Sequence, residues 1–140
     1  VTPFTDDFES DSGVWTVTGE WGRITDAGVG DSTSFGDSPA DFTPNVDTWA
    51  VTGVDLTGTA WPVLAFSERF DFGGHWGYVQ VSSDGGAGWT KVYAATGSQT
   101  EWVARRFDLS PWREQDQVLI LFFVDANSGV AADGWHIDNL

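Results

Sequence analysis

The sequence predicts an all-β fold, a two-sheet antiparallel β-sandwich of jelly-roll type, with residues 1–140 as a single domain. The first observation behind this is a hairpin outline in Gly73–Tyr93, GGHWGYVQVSSDGGAGWTKVY. Tyr78–Ser82 alternates, with Val79 and Val81 on one face and Tyr78, Gln80 and Ser82 on the other. Asp84-Gly85-Gly86 supplies a turn, and Trp89–Tyr93 alternates again. The second observation is a succession of about nine or ten such stretches at regular spacing. The third is the lack of a helical period: only Pro111–Gln115, PWREQ, has room for one turn of helix.

Taken in order, Val1–Ser10 sets Phe4 and Phe8 among acidic residues, and an extended backbone there puts Asp7 and Glu9 on one face. Trp15–Thr18 and Trp21–Thr25 are short strands joined at Gly19-Glu20. Asp26–Asn45 is a long loop rich in Gly, Ser, Asp and Pro, and loops of this length in compact domains are functional or pinned by something. Thr48–Thr52 is a strand, with Val54–Thr57 a strand end and turn. Pro62–Asp71 places Leu64, Phe66 and Phe70 on one face together with Glu68. A carboxylate in such a row needs a bulge, an arginine, a hydrogen-bond donor or a metal. Glu101–Leu109 is a strand ending in the turn Asp108-Leu109-Ser110-Pro111. Gln117–Val124, QVLILFFV, is apolar on both faces and reads as a central strand covered on both. A loop over Asp125–Asp133 precedes the last strand, Gly134–Leu140, on which Ile137 points inward and Asp138 the other way.

Composition narrows the function. A chain of 140 residues suffices for a two-layer core, and 15% aromatic residues exclude a disordered one. The 21 Asp and Glu against 6 Lys and Arg give a formal charge of −15, which repels phosphate backbones and anionic lipid and argues against nucleic-acid binding. Most of these carboxylates solubilise the surface, and any metal they hold is expected to be Ca²⁺, which prefers hard oxygen ligands. With no cysteine, disulfides and thiolate metal sites are excluded, in keeping with bacterial secretion. No stretch approaches 18 apolar residues, so no membrane span is expected. The chain starts without Met on VTPFTDDFES and ends on the strand-like WHIDNL. It reads as one module, monomeric by expectation, taken from a larger secreted bacterial protein.

Catalytic constellations are missing. Asp7/Glu9 and Glu68/Asp71 are the only carboxylate pairs worth weighing for glycoside hydrolysis, and no E-x-D-x-E run exists. His75 and His136 lie far from any nucleophile turn of the GxSxG kind, and HExxH is absent. His136 and Asp138 share a face, but two ligands make a poor Zn²⁺ site, and His136 reads as a solvated strand-end residue. The chain is therefore expected not to be an enzyme. Ligand binding has a firmer basis. Trp76 and Tyr78 line up with Gln80 on the face opposite the valines, and an aromatic with an amide on an exposed sheet face holds a sugar ring by stacking and hydrogen bonds. Trp61, Trp102 and Trp112 are further candidates for that platform, although most of nine tryptophans must pack in the core.

Several stretches, in this order, carry a family likeness: DDFES, GDSPADFTPNVDTWAVTGVDLTG, LAFSERFDFGGHWGYVQVSSDGGAGWTKV, Trp102 followed by FDLSPW, then QVLILFFVDANS and DGWHIDNL. Together they resemble the MAM-like jelly-roll module appended to secreted bacterial proteins, notably immune-inhibitor-A-type metallopeptidases and other exported hydrolases. YVQVSSDGGAGWTKV and GWHIDN are the most specific parts. The resemblance implies a concanavalin-like sandwich that is accessory rather than catalytic, with a structural Ca²⁺ near paired termini. Glu9 of DFE, Asp37 of DSP and Asp138 of IDN match the positions expected to hold it, with Asn45 and Asp47 as lesser candidates. His75-Trp76 departs from the acidic residue that such relatives carry before the GYV strand. The physics is compatible, because adjacent carboxylates repel unless a cation neutralises them.

The expected function is thus a non-catalytic extracellular accessory module, stabilised by Ca²⁺, that binds or positions a substrate or partner for a linked hydrolase or adhesin. Polysaccharide, protein substrate and neighbouring domains are the expected partners. The alternatives are a dedicated carbohydrate-binding module using Trp76, Tyr78 and Gln80, and a purely structural spacer.

Overall fold

The computed structural model describes residues 5–9, 13–18, 21–24, 28–31, 33–37, 47–125 and 134–140. Phe4, the Gly19-Glu20 joint, Asn45 and the stretch 126–133 lie outside these. The described strands are β1 (Thr16–Val17), β2 (Gly22–Ile24), β3 (Ser34–Gly36), β4 (Thr48–Val54), β5 (Val63–Ser82), β6 (Thr90–Asp108), β7 (Val118–Asp125) and β8 (Gly134–Asp138). All pairings are antiparallel, in the order β1-β4-β7-β5-β8-β3-β2, with β6 on β5.

The β5–β6 hairpin organises the fold. Residues 76–82 of β5 pair with β7, whereas 67–71 pair with β8, and β6 follows β5 across both halves. One hydrogen-bonded sheet therefore doubles over into two layers: β1-β4-β7-β5-β6 and β6-β5-β8-β3-β2. The bend falls at Gly73 and Gly74, whose φ values of 56° and 96° suit residues without a Cβ, and the register with β6 shifts between Asp71 and Trp76. This is why the strands expected over Pro62–Asp71 and Tyr78–Ser82 are one strand of 20 residues, and why those expected over Trp89–Tyr93 and Glu101–Leu109 are likewise one. The turn at Asp84-Gly85-Gly86 is as expected. Asp84 accepts from the Ser82 hydroxyl and the Gly88 N–H, and these bonds hold its carboxyl below the usual range.

The core fills the space between the layers. Val79, Val81, Val118, Ile120, Phe122 and Val124 face Phe66, Phe70, Phe72, Trp135 and Ile137, all buried. Phe122 meets Phe66 and Trp135 edge-on across the gap, at 5.2 and 5.3 Å between ring centroids. Gly77 is required by this packing: a Cβ there would lie 2.5 Å from the Phe72 ring and 3.0 Å from Trp135. The termini pair as expected of a jelly roll, with Asp6 and Leu140 exchanging two backbone hydrogen bonds.

Glu68 is fully buried and fully engaged. Its Oε1 accepts from Trp135 Nε1 at 3.0 Å, and its Oε2 accepts from the Tyr93 hydroxyl and from Arg105 Nε at 2.8 Å. An arginine is therefore the partner that the apolar row required. Burial, and then the hydrogen bond to Glu68, push the Tyr93 phenol well above its ordinary value. The same carboxylate raises the Arg105 guanidinium.

Three expectations need correcting. Ser34–Gly36, inside the long Asp26–Asn45 segment, is a strand, recruited by pairing with β8 where local alternation was too short to show it. His136 is buried rather than solvated, with Nδ1 3.5 Å from Ser34 Oγ on the outer face of the second layer. That face is covered: Ser34, His136 and Asp138 are buried, and the Val29 N–H donates to Asp138 Oδ2. Finally, β7 is central but is only partly covered on its outer side. Val118, Ile120, Phe122 and Val124 are in the core, while on the opposite face Leu121 is buried and Leu119 and Phe123 stay partly exposed.

Candidate functional site

The open outer face of the first layer is where the remaining aromatic side chains gather. Strand alternation sends Trp76, Tyr78 and Gln80 of β5 out of the core, because Gly77, Val79 and Val81 point in. Register then aligns them with neighbours. Tyr78 pairs with Phe123 of β7, Phe123 with Trp49 of β4, and Tyr78 with Ala94 of β6, so one row crosses four strands. With strands about 4.8 Å apart, the row is roughly 14 Å long. A second row runs through Asp125, Trp76 and Thr96, and a third through Val51, Leu121, Gln80 and Lys91.

Trp76 is 43% exposed at the end of the layer beside the bend, an unusual state for the largest apolar side chain on a sheet face. Its ring is parallel to that of Tyr78, at 6° and 6.1 Å between centroids. Lys91 Nζ lies 4.1 Å from the Tyr78 centroid. Since Trp76 precedes Tyr78 by two residues and Lys91 pairs two residues after it, the phenol ring is bracketed by an indole and an ammonium. This leaves an indole face, a row of ring edges, and a rim of Gln80, Lys91, Thr96 and Asp125 that can donate to and accept from hydroxyl groups. Thr96 is held in place by donating to the His75 carbonyl at 2.6 Å.

The three expected binding residues thus share one face. Trp49 and Phe123 join them and were missed in the sequence; the doubly apolar pattern of QVLILFFV was the available signal for Phe123. Trp61, Trp102 and Trp112 do not join. Trp102 lies beneath Arg69, 5.5 Å from its ring centroid, on the second layer, Trp112 packs against the core, and Trp61 belongs to the loop before β5.

The expected metal ligands are divided. Glu9 Oε1 accepts from the Thr33 N–H at 2.8 Å, and Asp138 accepts from the Val29 N–H at 2.9 Å and the Asn139 N–H at 2.8 Å. Asp37 instead accepts from the Trp135 N–H at 2.9 Å, three residues, about 10 Å, further along β8 from Asp138. Asp47 is exposed at the start of β4. Among the described residues no group of three or more His, Asp or Glu side chains converges as a cation site. Of the five residues named from the resemblance, Glu9 and Asp138 bond to Thr33 and Val29, Asp37 bonds at the other end of β8, and Asn45 lies outside the described residues.

No family model and no curated protein matches the chain. Solved structures do. The chain is similar to a Caldicellulosiruptor saccharolyticus CBM27-1 in complex with mannohexaose, with TM-score 0.63 and 16% identity over 99% of this chain and 95% of that one. It is similar to the C-terminal family 22 carbohydrate-binding module of Clostridium thermocellum Xyn10B, with TM-score 0.61 and 14% identity over 97% and 89%. A third is TmCBM61 in complex with β-1,4-galactotriose, with TM-score 0.59 and 16% identity over 89% and 84%. At these identities the likeness establishes the fold, a jelly-roll β-sandwich.

Proposed function

We propose that the chain is a non-catalytic carbohydrate-binding module that holds a neutral polysaccharide across the outer face of the first layer. The observation that carries this reading is the register row Trp49–Phe123–Tyr78 with Trp76 beside it, apolar and open where a second layer of protein would otherwise lie. A pyranose has an apolar C–H face and an equatorial belt of hydroxyls, the complement of an indole rimmed by amide, carboxylate and hydroxyl groups. A row that crosses four strands takes a passing chain rather than a chain end. The net charge of −15 disfavours polyuronates. Two of the similar structures are complexes with mannohexaose and β-1,4-galactotriose, which supports the same ligand class. Absence of catalysis is supported by Glu68, the one buried glutamate described, being saturated by three donors. Such a ligand implies extracellular work beside a linked enzyme or adhesin.

The test is mobility in native gels containing xylan, mannan, galactan, mixed-linkage β-glucan or polygalacturonate. Retardation by at least one neutral polymer and none by polygalacturonate is expected. Unchanged mobility in every neutral polymer contradicts the reading.

We propose separately a structural Ca²⁺ held by Glu9 and Asp138, whose carboxylates accept from Thr33 and Val29, in keeping with the preference of Ca²⁺ for oxygen ligands.

A further inference from the structure

A second concavity lies where the strands of the sandwich end, away from the open face. It is a pocket of about 340 Å³ between the end of β4, the loop 55–62, the start of β5 and β7. Its floor is apolar, with Leu64, Leu109 and Ile120 all buried, and its rim carries Asp55, Thr59 and Trp61. Trp61 is 80% exposed, far more than Trp76. The loop presenting it is tied down on both flanks. Leu56 and Gln115, Glu114 and Leu56, Thr59 and Leu56, and Leu109 and Pro62 are joined by backbone hydrogen bonds, Gly58 donates to Glu114 Oε2, and Thr57 donates to Asp55 Oδ1. An indole standing in water on a braced loop beside a preformed pocket pays little ordering entropy on binding a ligand.

We infer that this pocket is a second carbohydrate site, one that takes a chain end or a short neutral oligosaccharide. The inference rests on the carbohydrate-binding reading for the ligand's class but on different residues for the site. The volume is near the lower bound of about 300 Å³ for small-molecule pockets, room for one or two pyranose rings and not for a chain running through. An indole at the lip, a carboxylate and a hydroxyl at the rim and an apolar floor offer a sugar ring both stacking and hydroxyl partners. The Thr57 hydroxyl and the Thr57 N–H hold the Asp55 carboxyl below the usual range, and its oxygens can accept from sugar hydroxyls. A protein partner would need only the apolar floor.

The experiment is a ¹⁵N-detected NMR titration of the whole chain with di- to tetrasaccharides from xylan, mannan, galactan and mixed-linkage glucan, run on wild type, Trp61→Ala and Trp76→Ala. Shifts at Thr59, Trp61 and Leu109, weakened about tenfold in Trp61→Ala and kept in Trp76→Ala, are expected. Shifts confined to Trp49, Trp76, Tyr78 and Phe123 overturn the second site and leave the open face standing. Shifts confined to the pocket support the second site and count against the face. No shifts with any sugar overturn both. Because Trp61 is so exposed, Trp61→Ala is expected to melt as wild type does.

Discussion

At the scale of single residues, Glu68 shows how this core tolerates a charge. Its two oxygens take three donors, from Trp135, Tyr93 and Arg105, so breaking the set leaves buried groups unpaired. Removing Arg105 leaves a buried carboxylate without its cation, and since the arginine is partly exposed the cost should fall at the low end of the range for broken buried pairs, about 3 kcal/mol by urea denaturation of Arg105→Ala. Tyr93 gives a pH signature. A free phenol ionises near 10, and in the fold that value is raised, so the unfolded chain releases the proton first. The contribution is fully present below pH 10 and is lost as pH climbs above it. In a Tyr78→Phe background, which leaves Tyr93 as the sole tyrosine, the phenolate absorbance should rise together with unfolding rather than before it. The arginine partner was among the options visible in the sequence, because a carboxylate in an apolar row has few ways to persist. The tryptophan and tyrosine were not, because they come from strands about 25 and 67 residues away.

At the scale of elements, alternation read from the sequence located most strands, since a period of two is local and needs no knowledge of partners. It failed where partners decide. β3 exists because β8 pairs with it, and β5 and β6 are continuous because two glycines carry the chain from one layer into the other. The metal candidates separate for a related reason: Asp37 accepts from Trp135 and Asp138 from Val29, at different points along β8, a spacing that only strand order reveals. This divides the carboxylates experimentally. If a cation sits at Glu9 and Asp138, melting in excess CaCl₂ exceeds that in EDTA, by about 2.7 kcal/mol of stability at a hundredfold excess over Kd. Asp138→Ala removes the difference and Asp37→Ala retains it. Identical wild-type melts in CaCl₂ and EDTA after verified metal removal contradict Ca²⁺ stabilisation.

At the scale of the whole molecule, the two layers differ in what covers them. Among the described residues, the second layer's outer face carries buried Ser34, His136 and Asp138 with the Val29 N–H bonded to it, whereas the first layer's outer face carries Trp76 at 43% exposed beside partly buried Trp49, Tyr78 and Phe123. A purely structural spacer would have no reason to keep Trp76 exposed beside Tyr78. The sequence already placed Trp76, Tyr78 and Gln80 on one face; what it could not show was that Trp49 and Phe123 extend the row, because register between distant strands is a tertiary property. The central claim is that this row binds a polysaccharide chain. The measurement that tests it most directly is isothermal titration of wild type and Trp76→Ala with the neutral polysaccharide that retards the wild type most, each protein checked by thermal melting. Trp76→Ala should lose about 2 kcal/mol of binding, roughly 30-fold in Kd, while its melting changes by about 1 kcal/mol or less. An unchanged Kd in a variant that melts as wild type does would contradict the claim and remove the open face as the binding site.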